Sequence, residues 1–107
     1  MKPKILEKDL QKIVIEYLNL RKDIYFIRNN SVASKILRPN GSIGWLNNKK
    51  AGSPDLILCF KGQWIGLELK GNSKQSDLQK QAQQDIERCG GRYYIVRQLE
   101  DVIKILK

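Results

Sequence analysis

The chain has 107 residues, which is enough for one domain with a modest core, so we expect a single domain over residues 1–107. Its formal net charge is +9, from 20 Lys and Arg against 11 Asp and Glu, which favours a polyanionic partner, with nucleic acid first and an acidic membrane surface second. Histidine is absent, which excludes Ser-His-Asp and Cys-His nucleophiles, His-ligated zinc and an imidazole base, and leaves carboxylates, lysine and a metal ion for any chemistry.

Signals for cofactors, membranes and export are also absent from the sequence. No P-loop or GxGxxG pattern is present, so we expect no small-molecule cofactor. No apolar run approaches membrane-spanning length, and residues 1–4 lack the apolar core of a signal peptide, so we expect a cytoplasmic protein with no membrane partner. Cys59 and Cys89 form no CxxC pair, and we expect both to be buried thiols in a reducing cytoplasm.

The first predicted element is a helix over residues 4–20, followed by a strand over residues 24–28. Glu7 lies at the edge of the apolar stripe of this helix, where the helix dipole alone also explains a first-turn acid. The stripe has helical spacing and consists of Leu10, Ile13, Val14, Tyr17 and Leu18.

Residues 29–52 are predicted to form a long irregular connection, with a small hairpin of residues 36–38 against residues 42–45. Connections of this length inside a compact domain are usually functional or disordered. This segment has no acid and an aromatic side chain at Trp45, and it is either a nucleic-acid contact loop or a solvated loop. Its predicted contact residues are Lys35, Arg38, Lys49 and Lys50.

The most informative segment is a predicted hairpin, in which two β-rich apolar runs flank the turn signal Lys61-Gly62. With a two-residue turn, Phe60 faces Gln63, and counting outward places Asp55 opposite Glu68. Directly opposed residues have Cβ atoms roughly 4.5–5.5 Å apart. The sequence therefore brings two carboxylates together.

Opposed acids in a sheet repel each other and raise carboxyl pKa values unless a positive charge lies between them. A hard divalent cation with oxygen ligands is the natural compensation. Lys70 projects from the same face as Glu68, two residues further along the strand. The pattern predicts a metal site, against the alternative of an exposed sheet face with a salt bridge from Lys70.

The last third of the chain is predicted to be a helix, a strand and a short helix. A capping box at Ser76 to Gln79 begins the helix over residues 77–89, and Gly90-Gly91 ends it. Its expected buried stripe is Leu78, Ala82, Ile86 and Cys89. The complete order, α, β, β, β, α, β, α, predicts an α/β fold with a mixed four-stranded sheet flanked by helices on both faces.

The spaced combination of a helical acid, Gly-x-Pro-Asp, Glu-x-Lys and a helical glutamine resembles the VRR-NUC nucleases of the PD-(D/E)xK, or restriction-endonuclease-like, superfamily. The matching residues are Glu7, Gly52-Ser53-Pro54-Asp55, Glu68-Leu69-Lys70 and Gln79. The similarity spans nearly the whole chain and is weakest between residues 29 and 52. Glu-x-Lys alone would carry little weight in a chain so rich in lysine.

The resemblance implies a restriction-endonuclease-like core and a nuclease that needs Mg²⁺ or Mn²⁺. It implies that Asp55 and Glu68 are metal ligands, with the Leu69 backbone carbonyl completing the inner shell. Lys70 would orient or deprotonate the attacking water and help to neutralise the phosphate.

Two further residues receive roles from the same resemblance. Glu7 would position a second metal ion or a water on the metal, and Gln79 would support Lys70 or the water. The short standalone members of the family come largely from viruses and mobile elements and are homodimeric endonucleases that cut four-way junctions and flaps. The resemblance therefore implies branched DNA and a second copy of the chain as partners. Symmetric cleavage of a junction needs two sites related by a two-fold axis.

Alternatives remain open at this point. The chain is a metal-dependent junction or flap nuclease, a monomeric nicking or single-strand nuclease, or a non-catalytic nucleic-acid-binding module. DNA contacts are expected from Lys35, Arg38, Lys49, Lys50 and Lys74. The apolar residues of the long connection either form a dimer surface or pack on the core of the domain. They are Val32, Ile36, Leu37, Ile43, Trp45 and Leu46.

Overall fold

The computed structural model describes residues 6–29, 33–47 and 49–107, which form three α-helices and six β-strands. In chain order these are α1 (Glu7–Leu20), β1 (Ile24–Arg28), β2 (Ala33–Leu37), β3 (Ile43–Asn47), β4 (Leu56–Phe60), β5 (Gln63–Leu69), α2 (Asp77–Arg88), β6 (Arg92–Val96) and α3 (Leu99–Ile105). The predicted mixed α/β class is confirmed. The predicted helix start at residue 4 lies outside the described residues.

Strands β1, β4, β5 and β6 form a four-stranded mixed sheet in that order. β4 is antiparallel to both of its neighbours, whereas β5 and β6 are parallel, with α2 as the crossover between them. Phe60 pairs with Gln63, as the sequence predicts. Lys61 and Gly62 both have positive φ, 52° and 76°, which is the combination that a two-residue hairpin turn with the right twist requires.

One face of this sheet is packed under α1 and α3 and forms the core. Strand alternation produces this face, since Leu56, Leu58 and Phe60 are buried while the intervening residues are not. The other core residues are Leu10, Val14, Leu18, Ile65, Leu67, Leu69, Val96, Val102 and Leu106. None of the helices described by the structure is long and apolar enough to cross a membrane.

The second face of the sheet is only partly covered, and here two predictions are wrong. The expected buried stripe of α2 is not buried, because this helix packs mainly against β6 at one edge of the sheet. Leu78 is 61% exposed, and Ala82 and Ile86 are only partly buried. Cys59 and Cys89 are exposed rather than buried. Cys59 alternates with Leu58 and Phe60 and so points away from the core.

Strands β2 and β3 form a separate two-stranded hairpin, residues 33–47, which we call the β2–β3 arm. The predicted small hairpin in this segment is confirmed, with Ile36 paired to Gly44 and Leu37 to Ile43. It is longer than predicted and occupies most of the connection that was expected to be irregular. The described apolar side chains on it are exposed, so of the two alternatives left open by the sequence, packing on the core does not hold for them. They are Ile36, Leu37, Ile43 and Trp45. Val32 and the side chain of Leu46 lie outside the described part of the chain.

Candidate active site

Asp55 and Glu68 meet where β4 begins and β5 ends. Leu56 pairs with Leu67, so the next pair outward is Asp55 with Glu68, which is the predicted register. Asp55 Oδ2 accepts a hydrogen bond from the Leu69 backbone N–H at 2.8 Å. Glu68 is only 3% exposed, although its side chain is ionisable. The hairpin therefore holds one partly buried and one buried carboxyl group side by side.

The turn before Asp55 is fixed by Asn29, a residue that no sequence pattern marks. The Asn29 side-chain amide donates to Ser53 Oγ at 2.7 Å and to the Pro54 carbonyl at 2.8 Å. Its backbone N–H donates to the Asp55 carbonyl at 2.8 Å. Pro54 is fully buried over Gly66, where an added Cβ would lie 2.5 Å from Pro54 Cγ. These contacts set the position of the Asp55 backbone.

The Glu68 carboxyl group has polar partners on α2 and on β6. The Gln79 side-chain amide donates to Glu68 Oε1 at 2.9 Å, and the Tyr93 hydroxyl lies 3.5 Å from Oε2. Gln79 also closes the capping box of α2, because its Oε1 accepts the Ser76 N–H at 2.8 Å. Gln79 is thus directed at Glu68, whereas the resemblance implied support for Lys70 or a water. Tyr93 was not anticipated from the sequence.

Burial raises the pKa of Glu68 to about 8, and the charge of Asp55 and a hydrogen bond to it act in the same direction. The positive charges of Lys49 and Lys70 oppose this shift. Near neutral pH the pair therefore holds a proton, or it needs a cation beside it to stay fully ionised.

Lys49 supplies positive charge at this position. Its Nζ lies 3.2 Å from Asp55 Oδ1, and both side chains are partly buried. The sequence predicts Lys49 as a nucleic-acid contact, and the structure places it beside Asp55. Long-range placement of a loop lysine leaves no periodic signal in the sequence, so only the structure reveals it.

Glu7 faces the same site from the first turn of α1. A cleft is lined by Glu7, Lys8, Gln11, Asp55 and Leu69, and Asp55 joins this cleft to the buried Glu68. The Ser73 hydroxyl contacts a Glu7 carboxylate oxygen and lies 2.9 Å from the Lys70 carbonyl. The loop after β5 thus links the helical acid to the Glu-x-Lys segment.

The oxygen donors at this site suit a hard divalent cation. Asp55 and Glu68 provide adjacent carboxyl groups. In an extended strand the N–H and C=O of one residue point to the same neighbour, so the Leu69 carbonyl is directed to the side where its N–H meets Asp55. Among the described residues, however, no group of three or more His, Cys, Asp or Glu is arranged to hold a metal ion. Glu7 therefore lies across the cleft and does not complete a three-acid cluster.

The other predicted DNA contacts are exposed. Lys35 and Arg38 belong to the β2–β3 arm, Lys50 precedes the Pro54–Asp55 turn, and Lys74 follows the Glu-x-Lys segment. Lys50 and Lys74 are close to the acids in sequence, whereas Lys35 and Arg38 belong to an arm that packs extensively against no other described element.

Comparison with known proteins does not assign a family. No protein-family model matches this chain, and no curated protein or solved structure matches it. The resemblance to VRR-NUC nucleases rests on the spaced residues themselves.

Proposed function

We propose that this chain is a Mg²⁺- or Mn²⁺-dependent endodeoxyribonuclease of the VRR-NUC type, with a restriction-endonuclease-like core. Its proposed substrate is branched DNA, such as a four-way junction or a flap, in replication, recombination or repair. The observation that carries the proposal is the pairing of Asp55 with the buried Glu68, whose pKa is raised to about 8. A nearby cation stabilises the ionised form of such a pair, and the positive charges of Lys49 and Lys70 both act on Glu68.

Asp55, Glu68 and the Leu69 carbonyl would hold the metal ion. When bound, it supplies Lewis-acid stabilisation of the phosphate charge and lowers the pKa of a water. Residues of this chain would activate the water, neutralise the phosphate and position the carboxyl groups. Lys70 orients or deprotonates the attacking water and neutralises phosphate charge. Gln79 and Tyr93 hold the Glu68 carboxyl group in position by hydrogen bonds to its two oxygens.

Glu7 and the net charge of the chain complete the proposal. Glu7 is placed across the cleft from Asp55, where it can position a water or a second cation. A charge of +9 attracts the phosphate backbone and gives salt-dependent affinity. Paired incisions at a junction need two sites, so we propose a homodimer as the active form.

A non-catalytic nucleic-acid-binding module is the second candidate. The ion pair between Lys49 and Asp55 favours it, because a lysine already compensates the acid without a metal ion. This reading makes both acids purely structural. A monomeric nicking or single-strand nuclease would share the proposed site and differ in oligomeric state.

A cleavage assay on duplex, flap, single-strand and four-way DNA, in Mg²⁺, Mn²⁺ or EDTA, tests the proposal. We expect cleavage of branched substrates with either metal and none in EDTA. Asp55→Asn should abolish cleavage and retain or strengthen binding, because it removes a negative charge near phosphate. Glu100→Gln, an exposed acid on α3, is the matched control and should cleave normally. Cleavage by Asp55→Asn at the wild-type rate would contradict the role of Asp55, and absence of cleavage by wild type with either metal would favour the binding module.

A further inference from the structure

The β2–β3 arm presents an open apolar face. Lys35 pairs with Trp45 and Leu37 pairs with Ile43, so all four side chains lie on one face of the hairpin. Leu37 is 77% exposed, Ile43 55% and Trp45 67%. No other element of the described chain packs extensively against the arm. A lone two-stranded hairpin is marginally stable in water, so this face gains from a bound partner.

The opposite face of the arm is occupied by Arg38. Its guanidinium lies against Gly44, where an added Cβ would be 2.3 Å from Arg38 Nη2, and it donates to the Ile43 carbonyl at 3.3 Å. The turn is further closed by the Arg38 N–H donating to the Ser42 carbonyl at 2.9 Å. Arg38 thus braces the tip of the arm and leaves the Trp45 face open.

Charge identifies the chemistry of the partner. Residues 24–54 contain no Asp or Glu, and they carry five cations. These are Arg28, Lys35, Arg38, Lys49 and Lys50. Two arms from two copies of the chain would repel each other, whereas a polyanion is attracted. A nucleic acid satisfies both the charge and the aromatic group, since bases stack on aromatic rings while lysines contact the phosphates.

A short stretch of chain connects the arm to Lys49, which contacts one of the acids. Trp45 precedes Lys49 by four residues, so their Cα atoms are at most about 14 Å apart. Lys49 in turn contacts Asp55. This short connection allows one bound strand to reach both the arm and the candidate active site.

We infer that the Lys35–Trp45 face of the β2–β3 arm binds unpaired nucleotides, with Trp45 stacking on a base and Lys35 contacting the neighbouring phosphate. Bases inside an intact duplex present no free face to Trp45, whereas flaps, single strands and open branch points do. The inference deepens the proposed function and rests on it, because it explains how branched DNA is distinguished from duplex.

Binding measured in EDTA separates this inference from the nuclease proposal, because no cleavage is needed. Fluorescence anisotropy with a labelled single strand, a flap and a duplex would be compared for wild type, Trp45→Ala and Trp45→Phe. Trp45→Ala should weaken single-strand and flap binding roughly 5- to 150-fold and change duplex binding little. Trp45→Phe should keep most of the affinity. Tyr25→Ala is the matched control, because Tyr25 is an aromatic residue that is 74% exposed on the four-stranded sheet. This variant should bind like wild type.

Tryptophan fluorescence reports base stacking directly, and the chain has two tryptophans. In Trp64→Phe, Trp45 is the sole reporter, and its fluorescence should be quenched by the single strand and not by the duplex. Lys35→Gln should weaken single-strand binding without removing the quench.

Two outcomes would overturn the inference: Trp45→Ala binding every substrate like wild type, or an equal loss for duplex and single strand. If the first were accompanied by loss of a dimer, the face would be an interface between copies. Failure of the nuclease proposal is seen separately, as wild-type protein that binds DNA and does not cut it with Mg²⁺.

Discussion

Lys49 and Asp55 form an ion pair at the candidate active site, with 3.2 Å between Nζ and Oδ1, while Asp55 Oδ2 is held by the Leu69 backbone N–H. The lysine ammonium compensates the carboxyl pair from one side. A divalent cation held by Asp55 and Glu68 would compete with it. Because Lys49 lies between the β2–β3 arm and the acids, its displacement would free a positive charge near the bound DNA.

Lys49→Met should therefore strengthen metal binding at a pH where both carboxyl groups are ionised. A partly buried ion pair contributes up to about 1 kcal/mol, so we expect Mg²⁺ affinity at pH 9 to rise about 2- to 5-fold. The measurement is the Mg²⁺ dependence of the thermal midpoint. Lys50→Met, at an exposed neighbouring lysine, is the control and should leave the affinity unchanged. A weaker affinity in Lys49→Met would show that Lys49 assists the cation instead of competing with it.

Stability without metal should fall as the pH rises. The pKa of Glu68 is raised from the ordinary value of 4.5 to about 8, so between these values the folded chain holds a proton that the unfolded chain has released. The contribution of Glu68 is fully present below pH 4.5 and is lost as the pH passes 8. Urea unfolding in EDTA from pH 5 to 9 measures it.

Glu68→Gln keeps a neutral side chain at every pH and should remove this part of the pH dependence. Glu100→Gln should retain it, because that acid is exposed on α3. An unchanged pH profile in Glu68→Gln would mean that Glu68 titrates like an ordinary surface acid.

Asn29→Ala should both destabilise the domain and impair cleavage. It removes the side-chain hydrogen bonds to Ser53 and Pro54 that hold the turn before Asp55. We expect a loss of about 1–3 kcal/mol in the free energy of unfolding, together with a higher Mg²⁺ requirement for cleavage. Asn19→Ala, on the exposed side of α1, should change stability by less than about 0.5 kcal/mol. Denaturant unfolding and a metal titration of the cleavage rate check both parts.

DNA binding should depend steeply on salt. If about six phosphates are neutralised, a plot of log affinity against log salt concentration has a slope near −5. Asp55→Asn in EDTA allows this measurement on intact four-way DNA. The double variant Lys35→Gln/Lys50→Gln should reduce the slope by about 2. A salt-independent affinity would argue against phosphate contacts.

Much of the fold could be predicted from the sequence because strand alternation and turn chemistry are local. The register of Asp55 and Glu68 followed from a two-residue turn at Lys61-Gly62. The exposure of Cys59 could also have been predicted, since it alternates with the buried Leu58 and Phe60. Its apolar character, taken alone, gave the wrong answer.

Other features depend on tertiary placement. The apolar stripe of α2 shows only that the helix is amphipathic, and it does not reveal that Leu78 remains exposed. The contacts of Lys49 and Asn29 with the turn at Asp55 join residues from irregular segments, which carry no periodic signal. Tyr93 comes to Glu68 through the parallel pairing of β5 with β6, which is set by the crossover.

The most direct measurement is Mn²⁺ binding by titration calorimetry at pH 8.5, with cleavage of a four-way junction followed in the same buffer. Wild type and Glu100→Gln should bind Mn²⁺ saturably and cut the junction, while Asp55→Asn and Glu68→Gln should lose both properties and remain folded. Cleavage by wild type in EDTA, or Mn²⁺ binding and cleavage that persist in both variants, would contradict the role of Asp55 and Glu68 as a metal-binding catalytic pair.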